Sequence, residues 1–270
     1  MAEIHDYFKV CEAAARAGGQ SLREWRYRVS PREKSPKDLV TEADLASQRA
    51  VEQIVLAAYP SHGFVGEETP LSAAPAAASP DDPEATWRWI VDPLDGTANF
   101  VHGLLPFCVS VALARGDEIV VGVVYDPIQE ECFGAQAGGG ASLNGQRLQV
   151  SQCRELRSAM VASSFSANVE RGSEELARFS EVIVECQTLR RLGSAALNLC
   201  YVAAGRLDAY WATSAKNWDV AAGVLIAREA GAVITSVDGT PFQIDHPRLV
   251  GAATPELHAE LVRVLARGSK

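Results

Sequence analysis

The sequence lacks three features that would each define a class of protein. Its six cysteines are scattered and include no Cys-x-x-Cys pair, so reduced, mostly buried thiols are expected rather than a disulfide framework or a zinc knot. No uncharged apolar run approaches the roughly 20 residues of a membrane span. Charges interrupt the N-terminal segment where a signal peptide needs an unbroken apolar stretch. We therefore expect a soluble cytoplasmic protein with no membrane partner.

An excess of positive charge is also missing. The 270 residues include 25 lysines and arginines against 34 aspartates and glutamates, which gives a formal net charge of -9. Non-specific nucleic-acid binding needs basic surfaces that displace phosphate counterions, so no nucleic-acid partner is expected. A hydrophobic content of 47% is ordinary for a globular protein, and the chain is long enough to bury a large core.

The spacing of apolar residues predicts helices first, then paired strands, then alternating strands and helices. The predicted helices cover 3–22, 41–60, 173–185, 193–205 and 218–232, and a last one begins with Thr254 as N-cap and Pro255. The predicted strands lie at 63–66, 86–93, in a meander over 107–145, and at 158–165, 207–212 and 233–239. This order indicates a layered α+β fold rather than a simple doubly wound sheet. The whole chain, 1–270, is interpreted as a single catalytic unit.

Two stretches depart from this regular pattern. Gly18 and Gly19 are expected to loosen the first helix. The Ala/Pro/Ser-rich segment 71–86 has little capacity to form a core and is interpreted as a surface loop. Because it follows a Gly-Glu-Glu motif, it would either cover a site as a lid or be a disordered insertion.

The segment 89–100, Trp-Ile-Val-Asp-Pro-Leu-Asp-Gly-Thr-Ala-Asn-Phe, places two aspartates three residues apart. Asp92 ends a β-rich run, and Pro93 fixes the next backbone angle. The chain can then turn so that Asp95 points back toward Asp92, which leaves the Leu94 carbonyl as a further oxygen ligand. Hard divalent cations such as Mg²⁺ bind oxygen ligands, so the segment indicates a metal site.

The residues that follow suggest a place for a phosphate. Gly96 and Thr97 would open a helical turn whose first N–H groups have no partner in the helix. Two more acidic positions stand at element ends: Glu67 follows a glycine at a strand end, and Asp219 opens an apolar helix.

Each of these acids also has a simpler interpretation when it is taken alone. Asp95 before a glycine is a common turn former, and Asp219 at a helix start would be an N-cap. Glu67 and its neighbour would form a solvated turn, and Asp44 would be a first-turn helix acid. Their order along one chain favours a shared site.

These motifs resemble those of the inositol monophosphatase family, whose relatives include fructose-1,6-bisphosphatases and nucleotide 3'-phosphatases. The resemblance covers nearly the whole chain, with its segments at 34–44, 66–68, 89–103, 193–211 and 218–232. The Asp-Pro-Leu-Asp-Gly-Thr and Trp-Asp-Val-Ala-Ala-Gly elements are highly specific as a pair at this separation. The resemblance implies the family's layered α-β-α-β-α sandwich.

The resemblance also implies a Mg²⁺-dependent phosphatase with two metal ions. Glu67, Asp92 and the Leu94 carbonyl would hold the first ion. Asp92, Asp95 and Asp219 would hold the second, and a third, weaker ion would lie near Glu67. Subdomain 1–147 would carry the metal and phosphate motifs, and 148–270 the substrate side.

The roles implied for the remaining residues concern water and substrate. Thr97 and Glu67 would orient the attacking water, with Asp44 hydrogen-bonded behind Thr97. The substrate-binding residues would be Gly96, Thr97, Gly193, Ser194, Ala195 and Asp219. The substrate would be a small phosphorylated metabolite, inositol monophosphate first, and the protein would be a homodimer, as family members typically are.

One position departs from the family pattern. A glutamate that hydrogen-bonds a substrate hydroxyl usually stands seven residues before the Trp-Asp aspartate, and here that position is Ala212. A site without that partner discriminates less for the hydroxyl. A sugar bisphosphatase, a histidinol-phosphatase and a nucleotide 3'-phosphatase therefore remain open as alternatives.

Two other functional classes are compatible with parts of the sequence pattern. A nucleophilic-aspartate phosphatase has its two aspartates two residues apart, whereas Asp92 and Asp95 are three apart, so that class is disfavoured. A catalytically inactive binding or regulatory module would retain the fold without turnover, and the intact set of carboxylates argues against it.

Overall fold

Two larger β-sheets, a separate two-stranded hairpin and seven α-helices make up the computed structural model, which describes residues 2–35, 37–68 and 87–269. The helices are α1 (Ala2–Trp25), α2 (Glu42–Ala58), α3 (Thr97–Val101), α4 (Glu174–Ile183), α5 (Ala195–Ala203), α6 (Asn217–Glu229) and α7 (Pro255–Leu265). The first nine strands are β1 (Arg32–Ser35), β2 (Asp38–Val40), β3 (Gly63–Gly66), β4 (Trp87–Asp95), β5 (Cys108–Arg115), β6 (Glu118–Asp126), β7 (Glu131–Gln136), β8 (Gly140–Leu143) and β9 (Gln146–Arg147). The remaining strands are β10 (Met160–Ser164), β11 (Thr188–Arg190), β12 (Ala209–Ala212), β13 (Val233–Ser236) and β14 (Leu249–Ala252). The predicted loop 71–86 lies outside the described residues.

The elements stack in five layers. The larger sheet has the order β3-β4-β5-β6-β7-β8-β9, and the smaller one has the order β11-β10-β12-β14-β13. Helices α1 and α2 pack on the larger sheet, α5 and α6 lie between the two sheets, and α4 and α7 cover the smaller sheet. The predicted α-β-α-β-α sandwich is confirmed. The division into subdomains near residue 147 stays a prediction.

The period of two in the strands distributes the core between these layers. On β12, Tyr210 and Ala212 belong to the apolar cluster around α5 and α6, whereas Ala209 and Trp211 belong to the cluster under α7. All four residues are buried. Because both faces of the strand are covered, it reads as a continuous apolar run.

The first helix is uninterrupted, although the sequence predicts a loosened segment at Gly18 and Gly19. A Cβ added at Gly18 would lie 2.8 Å from Ser47 Oγ of α2, and one at Gly19 would lie 2.6 Å from Tyr125 Cδ1 of β6. The two glycines therefore let α1 approach its neighbours closely. Tertiary contact overrides the low helix propensity of glycine here.

Several short strands do not appear in the prediction from sequence: β1, β2, β9, β11 and β14. β14 includes Gly251, where an added Cβ would lie 2.5 Å from Ile234 Cδ1. Gly251 and Ala252 lower the β propensity of this four-residue strand, and its pairing with β12 and β13 forms it instead. Within the described part of the chain, no helix is long and apolar enough to cross a bilayer.

Candidate active site

A β-bulge in β4 brings two aspartates to one face of the larger sheet. Asp92 pairs with Ser110 and Asp95 with Cys108, so three steps along β4 match two steps along β5. Ser110 and Cys108 are two residues apart and share one face of β5, so their partners share it too. In a regular strand, side chains three residues apart point to opposite faces. The extra residue therefore directs both carboxylates toward α5 and α6.

The carboxylate of Asp95 is held by the first turn of α5. Ser194 Oγ donates to Asp95 Oδ2 at 2.6 Å, and the Ala196 and Ala195 N–H groups donate to its Oδ2 and Oδ1 at 2.7 and 3.2 Å. Burial raises the pKa of Asp95 to about 6, although these donors lower it. The hydrogen bonds fix the direction of the side chain, and two helix N–H groups are used on it.

The carboxyl groups of Asp92 and Asp219 each accept one backbone hydrogen bond and lie close to other carboxyl groups. Asp92 is buried and accepts a hydrogen bond from the Leu94 N–H at 3.0 Å. Asp219, the third residue of α6, accepts one from the Lys216 N–H at 2.7 Å. Burial raises the pKa of both carboxyls, to about 8 for Asp219, and the neighbouring carboxylates raise them further. A bound cation would relieve this repulsion.

Glu67 reaches the same place from the end of β3. Its N–H donates to the Val91 carbonyl at 3.2 Å and continues the parallel pairing of β3 with β4. Glu67 Oε1 accepts a hydrogen bond from Lys34 Nζ at 2.9 Å, and Lys34 also pairs with Glu68. Lys34 lies on β1, so the β1–β2 hairpin reaches over the acidic cluster. Lys34 is not among the predicted site residues, although it lies within the segment that carries the resemblance.

The Thr97 hydroxyl lies between a carboxylate and a carbonyl. Thr97 Oγ1 is 3.2 Å from Asp44 Oδ1 and 3.0 Å from the Leu94 carbonyl oxygen. Asp44 is buried and also accepts hydrogen bonds from the Thr41 N–H and hydroxyl at 2.8 and 2.6 Å, as the capping box of α2. Both interpretations of Asp44 therefore hold in the geometry, because one oxygen caps the helix and the other faces Thr97.

These residues surround one cavity of about 290 Å³. From the predicted site it is lined by Glu67, Asp92, Leu94, Asp95, Gly96, Thr97, Gly193, Ala195 and Asp219. Six further residues line it: Lys37, Ala98, Ser164, Phe165, Ala167 and Arg191. None of these six was predicted, although the basic pair at 190–191 directly precedes the predicted substrate segment and could have indicated Arg191.

Two predicted residues lie behind the cavity rather than in its lining. Asp44 is reached through Thr97, as expected. Ser194 is buried, and its hydroxyl binds Asp95 and caps α5 through the Leu197 N–H. The geometry thus gives Ser194 a contact that positions Asp95, and its contact with substrate stays a prediction. Ala212 is likewise buried and does not line the cavity.

The donor atoms suit a hard divalent cation. Among the residues that the structure describes, no group of three or more His, Cys, Asp or Glu side chains is arranged so that it could hold a metal ion without rearrangement. The carboxylates of Asp92, Asp95 and Asp219, which we call the cavity floor, nevertheless provide only oxygen donors, and they raise one another's pKa. Mg²⁺ binds few protein carboxylates and keeps several waters. The chemistry of the floor therefore fits Mg²⁺, and the number of ions stays a prediction.

A five-layered fold with an acidic cavity between its two sheets defines the class of protein. The chain belongs to the inositol monophosphatase family, whose model matches residues 4–269. Members of this family are phosphatases and generally depend on Mg²⁺.

Three relatives illustrate the likeness. Inositol monophosphatase 2 of Solanum lycopersicum is 39% identical and covers 97% of this chain and 98% of its own. Nus factor SuhB of Pasteurella multocida is 40% identical over 85% of this chain and 83% of its own. The crystal structure of extragenic suppressor protein suhB from Bartonella henselae has a TM-score of 0.87 at 36% identity, covering 96% of this chain and 98% of that one.

Proposed function

We propose that this protein hydrolyses a small phosphate monoester in a Mg²⁺-dependent reaction. Inositol monophosphate or a related polyol or sugar phosphate is the first substrate candidate. The observation that carries the proposal is the convergence of Glu67, Asp92, Asp95 and Asp219 on one cavity, beside the hydroxyl of Thr97. Phosphoryl transfer needs chiefly positioning and charge neutralisation. In the proposed mechanism, the side chains and N–H groups of this cavity would provide the positioning, and the Mg²⁺ that its acids hold would neutralise charge.

The proposed mechanism assigns a role to each side of the cavity. Glu67, Asp92, the Leu94 carbonyl, Asp95 and Asp219 would hold Mg²⁺, which when bound activates water and neutralises charge on the phosphate. On the proposal, Thr97 and Glu67 orient the attacking water. Asp44 accepts a hydrogen bond from the Thr97 hydroxyl, so the oxygen of that hydroxyl can accept a hydrogen bond from the water.

The remaining contacts concern the phosphate and the ligands themselves. The Gly96 and Thr97 N–H groups bind the phosphate. Ser194 and the first turn of α5 keep Asp95 in place throughout. Asp95 therefore needs no rearrangement to act as a ligand, which is what electrostatic preorganisation requires.

A substrate panel tests the proposal. Phosphate release from inositol, fructose, histidinol and adenosine phosphates is measured with Mg²⁺, after EDTA treatment, and after Mg²⁺ is restored. We expect release that is lost with EDTA, returns with Mg²⁺, and falls by at least 100-fold in Asp95→Asn, the order of magnitude for loss of a preorganised charge contact. Asp117→Asn, at an exposed site distant from the cavity, is the matched control. Activity that survives EDTA, or a fully active Asp95→Asn protein, would contradict the two-metal mechanism.

The panel also separates the alternatives. Ala212 lacks the carboxylate that usually contacts a polyol hydroxyl, which keeps fructose-1,6-bisphosphatase, histidinol-phosphatase and nucleotide 3'-phosphatase activities as candidates. The name Nus factor SuhB of one relative supports a second candidate, a regulatory binding module. Phosphate release no greater than that of Asp95→Asn on every substrate would favour that module.

We also propose that the protein is a homodimer. Three large apolar side chains, Tyr27, Leu104 and Leu105, are 76%, 58% and 46% exposed. Tyr27 lies beside Gly103, so the three form one surface. Monomeric proteins rarely expose contiguous apolar patches. Light scattering that gives the mass of a single chain at working concentration would reject the dimer.

A further inference from the structure

Two cationic side chains, Lys37 and Arg191, line the otherwise acidic cavity, and we call this part of the lining its wall. Lys37 comes from the turn between β1 and β2, and Arg191 comes from the segment between β11 and α5. Lys34, on the same hairpin, is engaged by Glu67 and Glu68. Within the described part of the chain, no carboxylate lies within salt-bridge distance of Lys37 or Arg191. Their charges are thus available to a ligand.

Arg191 is held in place on both its side-chain and its backbone side. Its guanidinium lies 5.3 Å from the centroid of the Phe165 ring, at cation–π distance, and Phe165 packs edge-on against Phe179 of α4. On the backbone side, Asn99 Nδ2 donates to the Leu192 carbonyl at 2.8 Å. An arginine fixed in this way loses less freedom when it binds an anion than a free surface side chain does.

The Asn99 side chain also fixes the backbone next to Arg191 relative to Thr97. Asn99 belongs to α3, two residues after Thr97, and also donates to the Pro106 carbonyl at 2.7 Å. Gly193, two residues after Arg191, has a φ of +87°, and a Cβ there would lie 2.8 Å from Asn99 Nδ2. Glycine is therefore needed for this approach. These contacts join the segment that carries Arg191 to the helix that begins at Thr97.

The acids and the cations of the cavity have different positions and hence different ligands. On the proposed function, on which this inference rests, the reacting phosphate and Mg²⁺ lie over the floor formed by Asp92, Asp95 and Asp219. We infer that Arg191, assisted by Lys37, binds a second anionic group of the substrate. Within the proposed function, this inference places phosphomonoesters that carry a further phosphate or carboxylate ahead of inositol monophosphate as substrates. Besides the floor acids and Glu67, no carboxylate lines the cavity among the described residues, so its wall favours an anion over a neutral polyol.

Matched substrate pairs test this inference. Fructose 1,6-bisphosphate is compared with fructose 1-phosphate, and 2-phosphoglycerate with glycerol 2-phosphate, at constant free Mg²⁺. The first pair probes a second phosphate and the second pair a carboxylate. The measured quantity is the ratio of kcat/KM within each pair, for the wild type, Arg191→Ala, Arg191→Lys and Arg171→Ala. Arg171 is exposed and does not line the cavity, so its loss is the matched change in charge.

We expect at least one ratio to exceed one in the wild type and to fall about 10- to 100-fold in Arg191→Ala, the range of a charge-assisted hydrogen bond. Arg191→Lys restores part of the ratio because the charge returns without the fork geometry. Arg171→Ala keeps it. The wild-type ratio also declines with added salt, because the wall is exposed.

The contrary results are distinct. Equal losses on both members of each pair in Arg191→Ala would assign Arg191 to the reacting phosphate and overturn the inference. Wild-type ratios of one or less for both pairs, or ratios that Arg191→Ala leaves unchanged, would also overturn it. A failure of the proposed function looks different, because no substrate then shows phosphate release that depends on Asp95.

Discussion

At the scale of single residues, two polar side chains of the site, Asp44 and Ser194, each serve both a helix cap and the cavity. Asp44 caps α2 with one oxygen and faces the Thr97 hydroxyl with the other. Ser194 caps α5 and binds Asp95. Because the fold itself depends on these contacts, the ligands are oriented before any substrate arrives. Preorganisation of this kind is the main source of electrostatic catalysis.

The Thr97 hydroxyl gives the sharpest test at this scale. Thr97→Val keeps the shape of the side chain and removes the hydroxyl between Asp44 and the attacking water. We expect kcat to fall about 100-fold, the order of magnitude for the loss of one positioned proton carrier, with a smaller change in KM. Thr97→Ser keeps the hydroxyl and should retain most of the activity. Equal kcat values for Thr97→Val and Thr97→Ser would show that the hydroxyl has no such role.

At the scale of elements, the bulge in β4 determines what the site can bind. The Asp-Pro-Leu-Asp spacing predicts a corner from sequence, because Pro93 fixes the backbone and two acids follow closely. The sequence does not show that β5 pairs across the corner with one residue fewer. That register puts both carboxylates on one face. The structure places Asp92 and Asp95 in one cavity and shows the register that brings them there, and their role as metal ligands stays a prediction.

The elements that the sequence could not predict are those formed by long-range contacts. Lys37 and Arg191 reach the cavity from segments with no regular apolar pattern, so periodicity gives no signal for them. The β1–β2 hairpin and β14 are short, and pairing with neighbours rather than propensity forms them. In contrast, β4 and α6 are apolar and largely buried, and Asp95 at the end of β4 and Asp219 in the first turn of α6 lie at element boundaries, as the sequence predicts.

Gly96 tests the corner itself. Its φ is +100°, and an added Cβ would lie 3.0 Å from the Pro106 carbonyl and 3.1 Å from Phe107 Cβ. Gly96→Ala should lower the free energy of unfolding in urea by about 2 kcal/mol or more, through backbone strain and crowding together. Gly116→Ala is the control, since that glycine has a φ of +57° and no atom within 4 Å of an added Cβ, and about 1 kcal/mol is expected. Equal losses would mean that the corner is not under steric constraint.

At the scale of the whole molecule, the acidic floor links folding, pH and metal. The carboxyls of Asp92, Asp95 and Asp219 have pKa values raised above the ordinary aspartate value of about 4, to about 6 for Asp95 and about 8 for Asp219. Between about pH 4 and pH 8 the folded, metal-free protein therefore binds more protons than the unfolded chain. The contribution of these carboxyls to the free energy of unfolding is therefore fully present below pH 4, and it is lost as the pH rises through their pKa values in the folded protein.

Mg²⁺ should act in the opposite direction. It binds the deprotonated carboxylates, so its affinity rises with pH, and a ligand of the folded state stabilises according to its concentration over its Kd. We expect the increase in Tm on addition of a fixed Mg²⁺ concentration to be small at pH 5.5 and to grow by several degrees by pH 8. Asp95→Asn should show a smaller increase at both pH values, whereas Asp117→Asn should match the wild type. A Mg²⁺ effect that is equal at both pH values, or unchanged in Asp95→Asn, would show that the cation stabilises the protein elsewhere. That result would contradict the assignment of the metal to the carboxylates of the cavity floor.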